Sequence, residues 1–322
     1  MVIIFAVIKG GKTMWKFVLS GLLMTFIFLT GCSAESTQLK EDGKLAIVTT
    51  IAQIAEPMSV IGGDKVEVKS LMGPGVDPHL YTATQGDIQK MEGADIIFYS
   101  GLHLEANMVK VFEEIGKTRP VLAIGEINSE EKLLKDEEGA IDPHIWFDID
   151  LWKESLDAAT NELKKALPED SDYFENNKQA YFEKLDTLKE EAKAQLETLP
   201  ADKRVLVTAH DAFGYFGRML DIEVVGLQGL STEAEIGLSD IEETIQLLVE
   251  HQVPAVFIES SINPASINAV IEGAKKEGLD IELGGELFSD AMGDADTEEG
   301  TYIGMYEHNV STIYEALSRG VE

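Results

Sequence analysis

Ser171 to Leu199 contains neither glycine nor proline, and Phe174, Tyr181, Leu185, Leu188, Ala192, Leu196 and Leu199 recur through it at helical intervals while Glu and Lys fill the other faces. A continuous helix of that length reaches ~43 Å, enough to run along two lobes as a spine. A coiled-coil arm is the competing reading. A single apolar stripe is more economically a face that packs on domains.

The sequence on either side of this stretch alternates between strand and helix patterns. Short β-branched runs occur at Leu45 to Thr50, Val66 to Leu71, Asp95 to Ser100 and Val121 to Ile124, with amphipathic segments between them. A second series follows at Arg204 to Thr208, Ile222 to Leu227, Ala255 to Glu259 and Leu279 to Leu283. Each set of four predicts a small, mostly parallel α/β sheet. The expected organisation is an N-terminal lobe over 45–170, a linking helix over 171–199 and a C-terminal lobe over 200–322. Asn128 to Ala140 reads as an acidic loop.

Residues 1–31 hold Lys9, Lys12 and Lys16, no acidic residue, and an apolar run from Phe17 to Leu29, which is the pattern of a secretory signal and too short to favour a permanent span. A start at Met14 instead of Met1 leaves the mature chain the same. Cys32, the only cysteine, directly follows Leu29-Thr30-Gly31, the pattern of a bacterial lipobox. A lone cysteine outside the cytoplasm excludes an internal disulfide and leaves no thiolate pair for a soft metal. The polar stretch from Ser33 to Lys44 reads as a tether. Loss of residues 1–31 removes three of 26 basic residues and none of 58 acidic ones, leaving a formal charge of −35. That sign argues against a nucleic-acid partner and for a heavily solvated surface that weakly attracts cations.

Asp-Pro-His occurs twice, at Asp77-Pro78-His79 and Asp142-Pro143-His144, and His210 lies in Thr208-Ala209-His210-Asp211. These are three of only six histidines. All three fall near predicted strand ends, where open α/β sheets hold ligands. Asp290, after the last predicted strand, supplies a carboxylate, so that two ligands would come from each lobe across a cleft. Neutral imidazole suits borderline transition metals, and three imidazoles with one carboxylate suit a divalent ion. A lone histidine beside Asp-Pro is an ordinary turn residue, and for Asp290, with Asp294 and Asp296 close by, a solvated acidic loop is the competing account, against which its Gly-Glu-Leu-Phe-Ser-Asp context selects it. His103, His251 and His308 read as packing or surface residues near helix ends. Phe213, Phe216 and Leu220 read as core, and the glycines form no phosphate or dinucleotide loop.

Four segments carry a resemblance: Gly73 to Tyr81, Asp142 to Asp148, Thr208 to Phe216 and Gly284 to Gly293. Together they resemble the solute-binding lipoproteins of bacterial zinc and manganese ABC importers, the TroA-type metal-binding proteins, from about Leu45 to the end of the chain. The resemblance implies two α/β lobes joined by one rigid helix, with the metal site in the cleft between them. It implies His79, His144, His210 and Asp290 as ligands, lipid on Cys32, and a membrane permease with its ATPase as partners of a monomeric carrier. The position of His210 is Glu in many manganese-selective relatives. Zinc-dedicated relatives often carry a His-rich loop, and Asn128 to Ala140 has no histidine, which inclines the reading toward manganese or dual use. Intrinsic affinity favours Zn²⁺ over Mn²⁺ at such a site. Asp77, Asp142 and Asp211 flank the ligands, and any of them is placed to support an imidazole. Two other classes remain open: a surface adhesin with a structural metal, and a metal-dependent hydrolase using Glu259 or Asp211 as base.

Overall fold

The computed structural model describes residues 43–319. The predicted signal over 1–31, Cys32 and most of the tether lie outside them. Among the described residues no helix is long and apolar enough to cross a membrane.

The first half is built as predicted. Strands β1 (Leu45–Thr49), β2 (Val66–Ser70), β3 (Ile96–Tyr99) and β4 (Val121–Ala123) form one sheet in the order β2-β1-β3-β4, every pair parallel. Every residue of the interior strand β1 is buried, as a strand covered on both faces requires. Helices α1 (Ala52–Gly62), α2 (Gln85–Glu92) and α3 (Val109–Ile115) connect the strands. Beyond β4, α4 (Ile149–Ala166) begins at Asp148, whose Oδ1 accepts the N–H groups of Asp150 and Leu151 at 3.1 Å.

The spine is α5 (Ser171–Leu196), about 39 Å of helix at 1.5 Å per residue. It ends three residues before the predicted Leu199, and its buried face is the predicted stripe from Phe174 to Leu196 with one addition. Lys178 fills the gap between Phe174 and Tyr181, its ammonium paired with Asp157 and with Glu175 at 2.9 Å. A lysine is tolerated there because its stem packs while its charge is matched.

In the second half, β5 (Val205–His210) pairs in parallel with β6 (Glu223–Gln228), and β7 (Ala255–Glu259) in parallel with β8 (Glu282–Leu287). The four strands predicted for this lobe are thus hydrogen-bonded as two pairs, with β5 and β7 lying next to each other. β8 starts three residues later than the predicted run and takes in Gly284 and Gly285. A Cβ at Gly284 would stand 2.5 Å from the Phe257 ring, and Gly285 adopts φ +141°, beside a register shift between Val256 and Phe257. Glycine is therefore needed for strand contact here, although it reads as a strand breaker in sequence.

Helices α6 (Gly214–Leu220), α7 (Leu238–His251), α8 (Ala265–Lys276) and α9 (Tyr302–Leu317) complete the lobe. One apolar core runs without interruption from β1 through α4 and α5 to α6 and α9, and Phe213, Phe216 and Leu220 belong to it. A separate, smaller core lies under α7 and α8. The lobes are therefore fused along the spine side.

Candidate metal centre

The two Asp-Pro-His copies fold into the same local device. Oδ1 of Asp77 accepts the His79 N–H at 2.8 Å, and Oδ1 of Asp142 accepts the His144 N–H at 2.9 Å. An Asp side chain that bonds its own backbone two residues on, around a proline of fixed φ, makes a tight turn that presents the following histidine. The turn at His144 is plugged by Trp146 and Phe147, both fully buried. His210 is the last residue of β5, and Asp290 follows β8 by three residues.

These four side chains meet. One donor atom from each of His79, His144, His210 and Asp290 lies within 4.8 Å of all the others, and none of the four residues is more than 3% exposed. Nε2 of His144 is 3.3 Å from Asp290 Oδ1, while Nε2 of His210 and of His79 are 3.3 and 3.7 Å from Oδ2. Those separations are too long for charge-assisted hydrogen bonds. The two at His144 and His210 match the ~3.3 Å between ligands placed tetrahedrally at ~2.0–2.1 Å from a common ion, and the one at His79 is somewhat longer. All three Nε2 atoms and both Asp290 oxygens are buried without a hydrogen-bond partner. Each orphaned group costs ~1–3 kcal/mol, a penalty that one divalent cation would remove from all five atoms at once.

The rings are not held alike. Nδ1 of His144 is 2.7 Å from Asp142 Oδ1, and Nδ1 of His210 is 2.6 Å from Glu259 Oε2. The second contact lacks the alignment of an ordinary hydrogen bond, but at that separation a proton must lie between the two groups. With Nδ1–H facing a carboxylate, the Nε2 lone pair is directed into the centre. Among the described residues no second carboxylate stands against the His79 ring; Asp77 instead accepts from Thr232 Oγ1 at 2.6 Å, across the cleft.

Protonation follows these surroundings. Burial pushes His79 down to about 4, against the pull of Asp290. Burial also opposes a charge on His144, but the Asp142 hydrogen bond and charge, aided by Asp290, carry it up to about 9. His210 rises well above its ordinary value because Glu259 and Asp290 outweigh burial. Asp290 is held well below the usual carboxylate range by the imidazoles around it, with His210 foremost, despite its burial. Burial raises Asp77, and burial together with Asp142 raises Asp211.

Of the flanking acids considered in the sequence, Asp142 supports a ring, whereas Asp77 and Asp211 do not. Glu259, considered there only as a hydrolytic base, is the second supporting carboxylate. Its position at the end of β7, beside the end of β5, was its only sequence signal. His103, His251 and His308 stay outside the cluster, with His308 Nε2 3.0 Å from the Glu286 carbonyl. Asp294 and Asp296 are exposed.

Comparison with known proteins agrees with this architecture. Residues 47–316 match the family model described as zinc-uptake complex component A, periplasmic. The chain is 47% identical over 302 residues to the manganese-binding lipoprotein MntA of Bacillus subtilis, covering 92% of this chain and 99% of that protein. It is 46% identical over 299 residues to the zinc-binding protein TroA of Treponema pallidum, covering 93% and 96%. The solved structure of TroA superimposes with a TM-score of 0.84 over 86% of this chain and all of that one. With fold, length and sequence in agreement, the chain belongs to the ZnuA family of zinc-uptake complex component A proteins.

Proposed function

We propose that the protein captures one Mn²⁺ or Zn²⁺ ion outside the cytoplasm through His79, His144, His210 and Asp290 and delivers it to the membrane permease of an ABC importer. The observation that carries this reading is the set of five buried, unpartnered donor atoms converging from four residues. Asp142 and Glu259 would fix the tautomers of His144 and His210 with Nε2 turned to the ion. The ion is cargo and needs no open coordination position. Glu259, which a hydrolase would need as a free base, is engaged by His210.

The same reading divides the chain into a signal over 1–31, lipid-bearing Cys32 with its tether to residue 44, lobes over 45–170 and 200–322, and the linking helix over 171–199. The lipid would hold the carrier at the outer face of the cytoplasmic membrane beside its permease and ATPase. Relatives named for manganese and for zinc stand at 47% and 46% identity, which favours neither ion. Three imidazoles favour Zn²⁺ by intrinsic affinity, so use of Mn²⁺ would depend on supply.

Elemental analysis after equilibration with buffered, competing Mn²⁺ and Zn²⁺ tests the reading, together with single Ala variants of the four residues. One ion per chain is expected in the wild type, with weakened binding in each variant. Undiminished binding in all four variants would overturn the site.

A further inference from the structure

The segment that carries Asp290 leaves β8 in the second half of the chain, yet its backbone is gripped from the first. The Ser289 carbonyl accepts two hydrogen bonds, from Gln53 Nε2 and from Trp146 Nε1, each at 3.2 Å. Gln53 is the second residue of α1, Trp146 lies two residues beyond His144, and both side chains are fully buried. On the adjoining residue, Asn309 of α9 accepts the Phe288 N–H at 2.9 Å and donates to the Phe288 carbonyl at 2.7 Å. α9 is itself bound to the first half. Tyr306 donates to the Phe147 carbonyl at 3.0 Å, and Glu56 of α1 accepts the Tyr302 N–H at 3.3 Å.

Gln53 is a costly residue for this place if packing is its only purpose. Its Oε1 is buried without a partner, a penalty that an apolar side chain of similar shape would avoid. The Ser289 carbonyl fixes the amide with Nε2 toward it, since the flipped amide would set two oxygens against each other. What the amide gains is a hold on the peptide unit immediately before Asp290.

We propose that Gln53, acting with Trp146 on the Ser289 carbonyl, is a positioning residue for Asp290, setting its carboxylate against His79 and His144 from the first lobe although it is delivered by the second. This inference rests on the reading of the four residues as ligands. On this view three of the four ligands are held by the first lobe and the spine side of the molecule, and His210 alone comes from beyond them.

A double-mutant cycle on the full chain, read as Zn²⁺ affinity in metal-buffered competition titrations, tests the assignment. Gln53→Leu is made alone, with Asp290→Ala and with His210→Ala, and Gln53→Met serves as a second isostere should Leu fold poorly. Gln53→Leu is expected to weaken binding about tenfold in the wild-type and His210→Ala backgrounds. In the Asp290→Ala background the loss should be under about twofold, because the group it positions is gone. An equal loss in all three backgrounds, or none in the wild type, would overturn the positioning role and leave the ligand assignment standing. Undiminished affinity in Asp290→Ala itself would overturn the ligand assignment, and this inference with it.

Discussion

Glu259 grips His210 twice, with Oε2 2.6 Å from Nδ1 of the ring and Oε1 2.8 Å from the main-chain N–H of the same residue. The carboxylate thus sets both the position and the tautomer of the imidazole. Glu259→Gln keeps an oxygen for the N–H but loses the charge that keeps the proton on Nδ1. Metal affinity should fall ~10–100-fold, with one ion still bound at saturation. Buffered Zn²⁺ titration checks this, and an unchanged dissociation constant would mean that Glu259 does not act through His210.

The unequal support of the three rings predicts how binding depends on pH. His144, raised to about 9 by Asp142, and His210, raised well above its ordinary value by Glu259 and Asp290, carry protons at neutral pH in the metal-free protein, whereas His79, lowered to about 4, is already neutral. A raised imidazole stabilises the metal-free fold fully below its unfolded value of ~6.5 and loses that contribution as pH rises through its folded value. The metal requires the opposite state. Affinity should therefore climb with pH between about 6 and 8, by about two powers of ten per unit. Calorimetry in buffers of different protonation enthalpy should find about two protons released per ion at pH 7. Zero released protons would contradict the charged state of both rings.

The four residues of the candidate site were legible because each sits in a short local device. Asp-Pro-His is a complete turn within three residues, His210 ends a strand and Asp290 follows one. The groups that orient them were not legible. Glu259 reaches His210 across 49 positions, and Gln53 reaches Ser289 across 236, with no spacing that sequence alone can register. The fold divides in the same way. The α5 stripe declared itself by period, while Lys178 within it reads as surface until Asp157 and Glu175 are placed beside it. The start of β8 is hidden in the sequence because the Phe257 ring, which requires glycine at 284, lies on another strand.

The loop bearing His79 is moored at its far end by Asp87. Its Oδ2 accepts the Tyr81 hydroxyl at 2.7 Å, the Thr84 hydroxyl at 2.6 Å and the Thr84 N–H at 3.0 Å, while Oδ1 meets Lys90 at 2.9 Å. Burial opposes its charge, but these bonds hold its pKa well below the ordinary value. Asp87→Ala should cost ~1–2 kcal/mol at pH 7 through loss of its half of the α2 capping box, since Thr84 is the N-cap. A depressed carboxylate stabilises above its unfolded pKa of ~4 and loses that effect as pH falls toward its folded value. The difference in melting temperature between wild type and variant should therefore shrink below about pH 4. A constant gap from pH 7 to about 3 would show that Asp87 acts by shape and not by charge.

The uninterrupted core along the spine side carries a mechanical consequence. Tyr306 of α9 is fully buried against Phe147 and Phe216, with ring centroids 6.2 and 5.6 Å away. Phe147 belongs to the turn that presents His144, and Phe216 to α6 of the other lobe. No boundary separates the lobes at this point, so they should unfold together. Calorimetry of the chelator-treated protein should give one transition whose van't Hoff and calorimetric enthalpies agree. Tyr306→Ala opens a cavity where both lobes meet and should lower stability by ~3–5 kcal/mol while leaving the transition single. Two resolved transitions in the wild type, or a Tyr306→Ala variant in which only one of them moves, would show instead that each lobe stands on a core of its own.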